Sequence, residues 1–165
     1  MSHLFSRSRS NRKGFTLVEL AVVIVIIGVL ASFGVPRFLN SVERSKAAEA
    51  MSYLAAVRSS QERYQAREGT YASTIPSLDI LLSTPKYFTV GTIAAGTTSS
   101  LQDSWTLTLT RSGSSAGYGA YTVTFTEQGY DSTNSTIDGL PAINPMGTDP
   151  NGGSAAAGGS SSSGS

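Results

Sequence analysis

The chain has 165 residues, 39% hydrophobic and 14% charged, with a formal net charge of +1, a length that suits one domain plus attachments. It has no cysteine and one histidine, His3, which excludes disulfides, Cys/His zinc sites, thiol–imidazole dyads and a Ser-His-Asp triad. Residues 1–13 hold Arg7, Arg9, Arg12 and Lys13 without an acid, so residues 14 onward carry eight bases against eleven acids. That acidic balance predicts no strong nucleic-acid binding.

Phe15 to Val35 reads FTLVELAVVIVIIGVLASFGV, 21 residues in which Glu19 is the only charge. A helix of that length spans about 31 Å, the thickness of a bilayer's hydrocarbon core. Basic residues before it and mixed charges after it predict that the leader stays in the cytoplasm and the C-terminal part faces outward. A secretory signal peptide would have a shorter apolar core and a different cleavage site. A buried core helix would need a less polar remainder to wrap it. A plain single-pass anchor leaves Glu19 unexplained, because a carboxylate in an apolar span costs about 2.5–3.5 kcal/mol on insertion scales and is by default functional.

The segment KGFTLVEL, Lys13 to Leu20, resembles the processing and methylation motif of type IV pilins and type II secretion pseudopilins. A short basic leader, Gly14, Phe15, Glu19 and an unbroken apolar helix reaching Pro36 carry the resemblance. It implies cleavage between Gly14 and Phe15 by a prepilin peptidase/methyltransferase and N-methylation of Phe15. It also implies an inner-membrane assembly platform and packing of like subunits into a helical filament. The new Phe15 amine lies one helical turn from Glu19, on the same face, and the helix dipole favours a carboxylate there. In a packed bundle Glu19 would receive the amine of a neighbouring subunit and set the axial stagger. A misplaced subunit would leave two charges unpaired in an apolar medium. Gly28 and Ser32 give a weak small-xxx-small spacing. Pro36, beside Gly34, predicts a kink or local melting, or simply the end of the membrane helix.

From Arg37 to Glu68 there is neither Gly nor Pro, and Ala47, Met51, Leu54, Val57 and Tyr64 recur near the helical period. An amphipathic stem helix should therefore continue the span to Gly69, about 80 Å in all if straight. Glu43, Arg44, Arg58, Glu62, Arg63 and Arg67 are assigned to its solvated or subunit-facing surface. Residues 70–85 read as loop with one short helical turn. Tyr87–Thr92, Ser104–Arg111 and Gly119–Glu127 read as strands. In the last two, Trp105, Leu107, Leu109, Tyr121, Val123 and Phe125 alternate with Thr106, Thr108, Thr110, Thr122, Thr124 and Thr126. RSGSSAGYG should join them as an antiparallel hairpin, whose apolar face the stem covers.

From Gln128 the chain reads as loop, with a short edge segment near Ile137. Asp131, Asp138 and Asp149 are weak calcium candidates, since some relatives hold this region with calcium, but their spacing fits no EF-hand; no cofactor and no other metal are expected. The predicted architecture is α+β: leader 1–14, membrane and filament-core helix 15–35, stem 36–68, antiparallel sheet domain 69–150 and flexible Gly/Ser tail 151–165. No catalytic residue is assigned, and the chain is read as a structural filament subunit rather than an enzyme. The absence of a disulfide-bounded loop leans towards a pseudopilin. The absence of the tryptophan-glycine-asparagine-proline-tyrosine-like segment of the usual major pseudopilin pulls towards a type IV pilin of a surface fibre for adhesion, motility or DNA uptake.

Overall fold

A computed structural model of the chain describes residues 14–147. Residues 1–13 of the predicted leader, the Gly/Ser tail and Asp149 lie outside the described residues. The described chain divides between Phe38 and Leu39 into two compact units; one α-helix, α1, Leu17–Glu68, belongs to both.

In the first unit every residue from Gly14 to Phe38 is exposed. The helix is long and apolar enough to cross a membrane. It runs through Gly34 and Pro36 without a break, so neither the expected local melting nor an end at Pro36 occurs. Proline removes one amide from the ladder, and the strong helix formers on its C-terminal side carry the helix on.

The second unit is an α+β packing of the stem half of α1 against an antiparallel sheet. The strands are β1 (Phe88–Val90), β2 (Ala94–Ala95), β3 (Trp105–Arg111), β4 (Thr122–Thr126) and β5 (Gly129–Tyr130). β3 is central, with β1 and β2 along one edge and β4 then β5 along the other. The predicted hairpin forms in the register Thr106↔Thr126, Leu107↔Phe125, Thr108↔Thr124, Leu109↔Val123, Thr110↔Thr122. This register puts apolar residues opposite apolar ones and threonines opposite threonines, the pairing that stabilises adjacent strands. Between β1 and β2 the backbone crowds β3 so closely that a Cβ on Gly91 would fall 2.7 Å from the Thr108 carbonyl oxygen. Only glycine fits that approach.

Helix and sheet share one core. Ala47, Ala50, Leu54 and Val57 interlock with Trp105, Leu107, Leu109 and Val123, all fully buried. Each large aliphatic side chain contributes about 1.5–3 kcal/mol by leaving water. Gly69 adopts φ 75° and donates to the Gln65 carbonyl, ending α1 where expected. Gln61, fully buried, clasps the chain after that turn, donating to the Ala72 carbonyl at 3.0 Å and accepting from the Ala72 amide at 2.8 Å. The short turn expected in 70–85 is the 3₁₀ segment Ile75–Ser77.

Two expectations fail. The edge segment lies at Gly129–Tyr130, not near Ile137; Ile137 belongs to a 3₁₀ turn, Thr136–Gly139, and is fully buried. Glu43 is not surface but 1% exposed. It occupies the inward stripe 43, 47, 50, 54, 57, 61, and a charged partner waits opposite.

Candidate functional site

The candidate site begins at the N-terminal end of α1. Gly14 stands in the open, with no neighbour within 4 Å of the place a Cβ would occupy, and Phe15 is 86% exposed. The Gly14–Phe15 peptide is thus sterically accessible. Glu19 is held by a reciprocal cap. Its amide donates to the Thr16 hydroxyl at 3.2 Å, while its carboxylate accepts the Thr16 amide at 3.3 Å and the Thr16 hydroxyl at 3.4 Å. This satisfies two of the orphan donors of the first turn. Sequence reasoning placed Glu19 through the dipole and missed Thr16, although a threonine three residues before a glutamate at the start of an apolar run is the signature of this box.

Beyond the cap, the large apolar side chains from Leu17 to Phe38 are each 47–86% exposed. They cover the whole circumference rather than one stripe, the pattern of a helix whose surroundings are apolar on all sides. Ser32 donates to the Val29 carbonyl at 2.8 Å, which meets its hydroxyl locally. Gly28 and Gly34 have nothing within 4 Å, leaving the backbone open to close approach. Pro36 lies inside the helix.

The second unit holds a charged anchor. Glu43 pairs with Arg111 through Oε1 to Nε at 2.5 Å and Oε2 to Nη2 at 3.2 Å. Glu43 also accepts from the Tyr121 hydroxyl at 2.9 Å and from the Lys46 ammonium at 3.1 Å. The Arg111 guanidinium also donates to the carbonyls of Tyr87, Ser112 and Ser114. Burial alone would raise the Glu43 carboxyl; the Arg111, Tyr121 and Lys46 hydrogen bonds outweigh it and hold the group below its ordinary 4.5. Burial and the bond to Glu43 push Tyr121 upward. The parity of β3 carries the signal that was missed: positions 105, 107, 109 and 111 share the inward face, so Arg111 enters the core and needs an acid. Near the base of the stem the Tyr118 hydroxyl donates to Asn40 at 2.7 Å.

Of the calcium candidates, Asp131 and Asp138 lie among the described residues, and each is engaged in local hydrogen bonds. Asp131 receives the Asn134 amide at 3.1 Å and its side-chain nitrogen at 2.7 Å, an aspartate-led turn. Asp138 accepts from the Tyr130 hydroxyl and Asn144, each at 3.3 Å. Among the described residues no group of three or more His, Cys, Asp or Glu is placed to share a metal ion. Burial, the largest influence, pushes the Tyr130 phenol up to about 12. A second clamp joins the stem to the following loop, where Arg63 grips Asp79 at 2.9 and 3.1 Å and Ser60 donates to the same carboxylate.

Residues 9–35 match the family model described as the prokaryotic N-terminal methylation motif. Over 81 residues, 49% of this chain and 52% of the relative, the sequence is 36% identical to the type II secretion system core protein G of Pectobacterium carotovorum subsp. carotovorum. Over 74 residues it is 42% identical to the type IV narrow pilus major component PilA5 of Thermus thermophilus, covering 45% of this chain and 60% of that protein. Over 67 residues it is 37% identical to the type IV major pilin protein PilA of Myxococcus xanthus, covering 41% of this chain and 30% of that protein. The chain spans about half the length of the type II secretion relatives it matches. The resemblance carried by KGFTLVEL therefore stands, together with the α+β fold of a long N-terminal helix on a small antiparallel sheet.

Proposed function

We propose that this chain, similar through its first half to type II secretion core protein G and to type IV pilins, is a structural subunit stored in the bacterial inner membrane and polymerised through α1 into a thin filament. One observation carries the reading: a helix start capped by Thr16 and Glu19 opens an apolar surface exposed all round. Such a surface belongs in lipid or in a bundle of like helices, not in water.

In this reading the basic leader keeps the N-terminus cytoplasmic, and the sheet domain lies outside. A prepilin peptidase cuts after Gly14 and methylates Phe15, whose amine stays cationic. In the membrane that amine lies beside its own Glu19. In the filament the Glu19 of one subunit takes the amine of the next, so only one axial stagger pairs both charges. The small residues Gly28, Ser32 and Gly34 let neighbouring spans approach. Pro36 removes one rung of the helix, where the span gives way to the stem during packing.

The similarity to core protein G across several species favours a pseudopilin of type II secretion. The 42% identity to a pilus component favours a surface pilin as the second reading. Mass spectrometry of the native protein is expected to find an N-terminus at Phe15 with one added methyl group. Glu19→Val should leave a processed, membrane-bound subunit that no longer enters filaments, because the incoming amine loses its charge partner. Normal filament yield from that variant sinks the mechanism. Deleting the gene and scoring both enzyme secretion and sheared surface fibres separates the two readings.

A further inference from the structure

We infer that the threonine-floored trough on the outer face of the sheet is a binding site for a neutral saccharide. The trough holds about 460 Å³, within the size range of small-molecule sites. Its floor is Thr106 and Thr108 of β3 beside Thr124 and Thr126 of β4. One wall is the backbone after β2, Gly96 to Thr97; the other is the turn made by Asp131 and Asn134.

Threonines on the solvent face of a strand are ordinary β-sheet chemistry, and they need no walls. Here both walls are built. The segment after β5 folds back along the part of β4 that β5 leaves unpaired: the Ser135 hydroxyl accepts the Thr124 amide at 2.8 Å, and the Thr124 hydroxyl donates to the Asn134 carbonyl at 2.9 Å. On the far side, Gly96 packs so tightly on β3 that a Cβ would fall 2.9 Å from the Ser104 hydroxyl. The floor is a lattice of hydroxyls spaced about 4.8 Å across the strands and about 6.8 Å along them. Part of it is already satisfied, since Thr108 and Thr124 share a hydrogen bond at 2.9 Å. Among the described residues the hydroxyls of Thr97 and Thr106 have no protein partner.

The chemistry selects the ligand. Thr97 and Thr106 each offer a hydroxyl that both donates and accepts, and the trough threonines add methyls that pack on carbon, matching a sugar ring with its mixed hydroxyl rim and C–H faces. Asp131 and Asn134 add an acceptor and an amide at the rim. No Lys or Arg lines the trough, and an adjoining recess that shares Thr97, Thr126 and Asp131 adds Glu127. Anionic ligands are therefore repelled. The inference does not depend on the filament reading.

The test uses the full chain in a zwitterionic detergent without a sugar headgroup, screened against an array of neutral, sialylated and sulfated glycans. The best neutral oligosaccharide is then titrated by calorimetry. Binding of neutral glycans is expected, weakened about tenfold or more by Thr106→Val or Thr97→Val, which remove a free hydroxyl and keep the β-branched shape. Thr106→Ser should bind like the parent. Thr97 is exposed, so its variant reads the site even if Thr106→Val perturbs the fold. Binding of no neutral glycan, preference for sialylated or sulfated ones, or parental affinity in both valine variants overturns the inference.

Discussion

Glu43 illustrates how much depends on a single partner. A carboxylate 1% exposed is tolerated because Arg111, Tyr121 and Lys46 together supply a counter-charge and donors. Removing one member leaves the other charge buried and unpaired, so Glu43→Leu or Arg111→Met alone should cost about 3–5 kcal/mol in chemical denaturation. The double variant should recover most of that loss, since a packed apolar pair of similar volume is often neutral or better. The pH dependence has a definite sign. With the folded carboxyl held below 4.5, its stabilisation is complete above that value and is lost as pH falls through the depressed one. A melting profile flat from pH 7 to 5 and falling below about 4.5 is expected; in Glu43→Leu/Arg111→Met the fall should be shallower. At the N-terminal end of the helix, Thr16→Val removes a cap worth about 1 kcal/mol. Solution NMR in micelles should show the first turn fraying while the helix beyond Leu20 is unchanged.

At the level of elements, periodicity was the most readable signal. The helix through Glu68, the β3–β4 hairpin and the division of apolar and threonine faces follow from residue spacing alone. What escaped depends on residues far apart in the chain. Arg111 completes an apolar alternation with a charge, and only its partner 68 residues earlier explains it. β2 and β5 are two residues each, too short to carry a period, and they exist because β3 and β4 offer free ladder groups. Thr16 was legible and was read as part of the motif rather than as a cap. In the interlocked core, Leu54→Ala or Leu107→Ala should destabilise by about 2–5 kcal/mol by leaving a cavity. The buried and half-buried tyrosines set an alkaline limit: desolvation raises Tyr53, Tyr71, Tyr121 and Tyr130, the last to about 12. Groups raised in the folded state stabilise fully below the ordinary 10 and lose that contribution as pH rises beyond it. Absorbance titration should show these phenols ionising with cooperative unfolding, above the range of exposed tyrosine.

The whole molecule joins two units of opposite solvent preference through one helix. A fragment from Leu39 to Gly147 keeps the entire buried core and both clamps. It should be soluble and melt in a single cooperative transition, whereas the full chain should need detergent. A fragment that aggregates or melts without cooperativity would show that residues before Leu39 are needed for the fold. The wide separation of Glu43 and Arg111 also bears on synthesis. At roughly 5–20 residues per second, the acid leaves the ribosome on the order of ten seconds before its base. Throughout that interval the nascent stem carries a carboxylate at the head of its inward stripe, and collapse onto any earlier segment would have to dehydrate it without its Arg111 and Tyr121 partners. Until the strand that completes the pair has been translated, the lone Glu43 carboxylate would therefore hold the half-made stem in water.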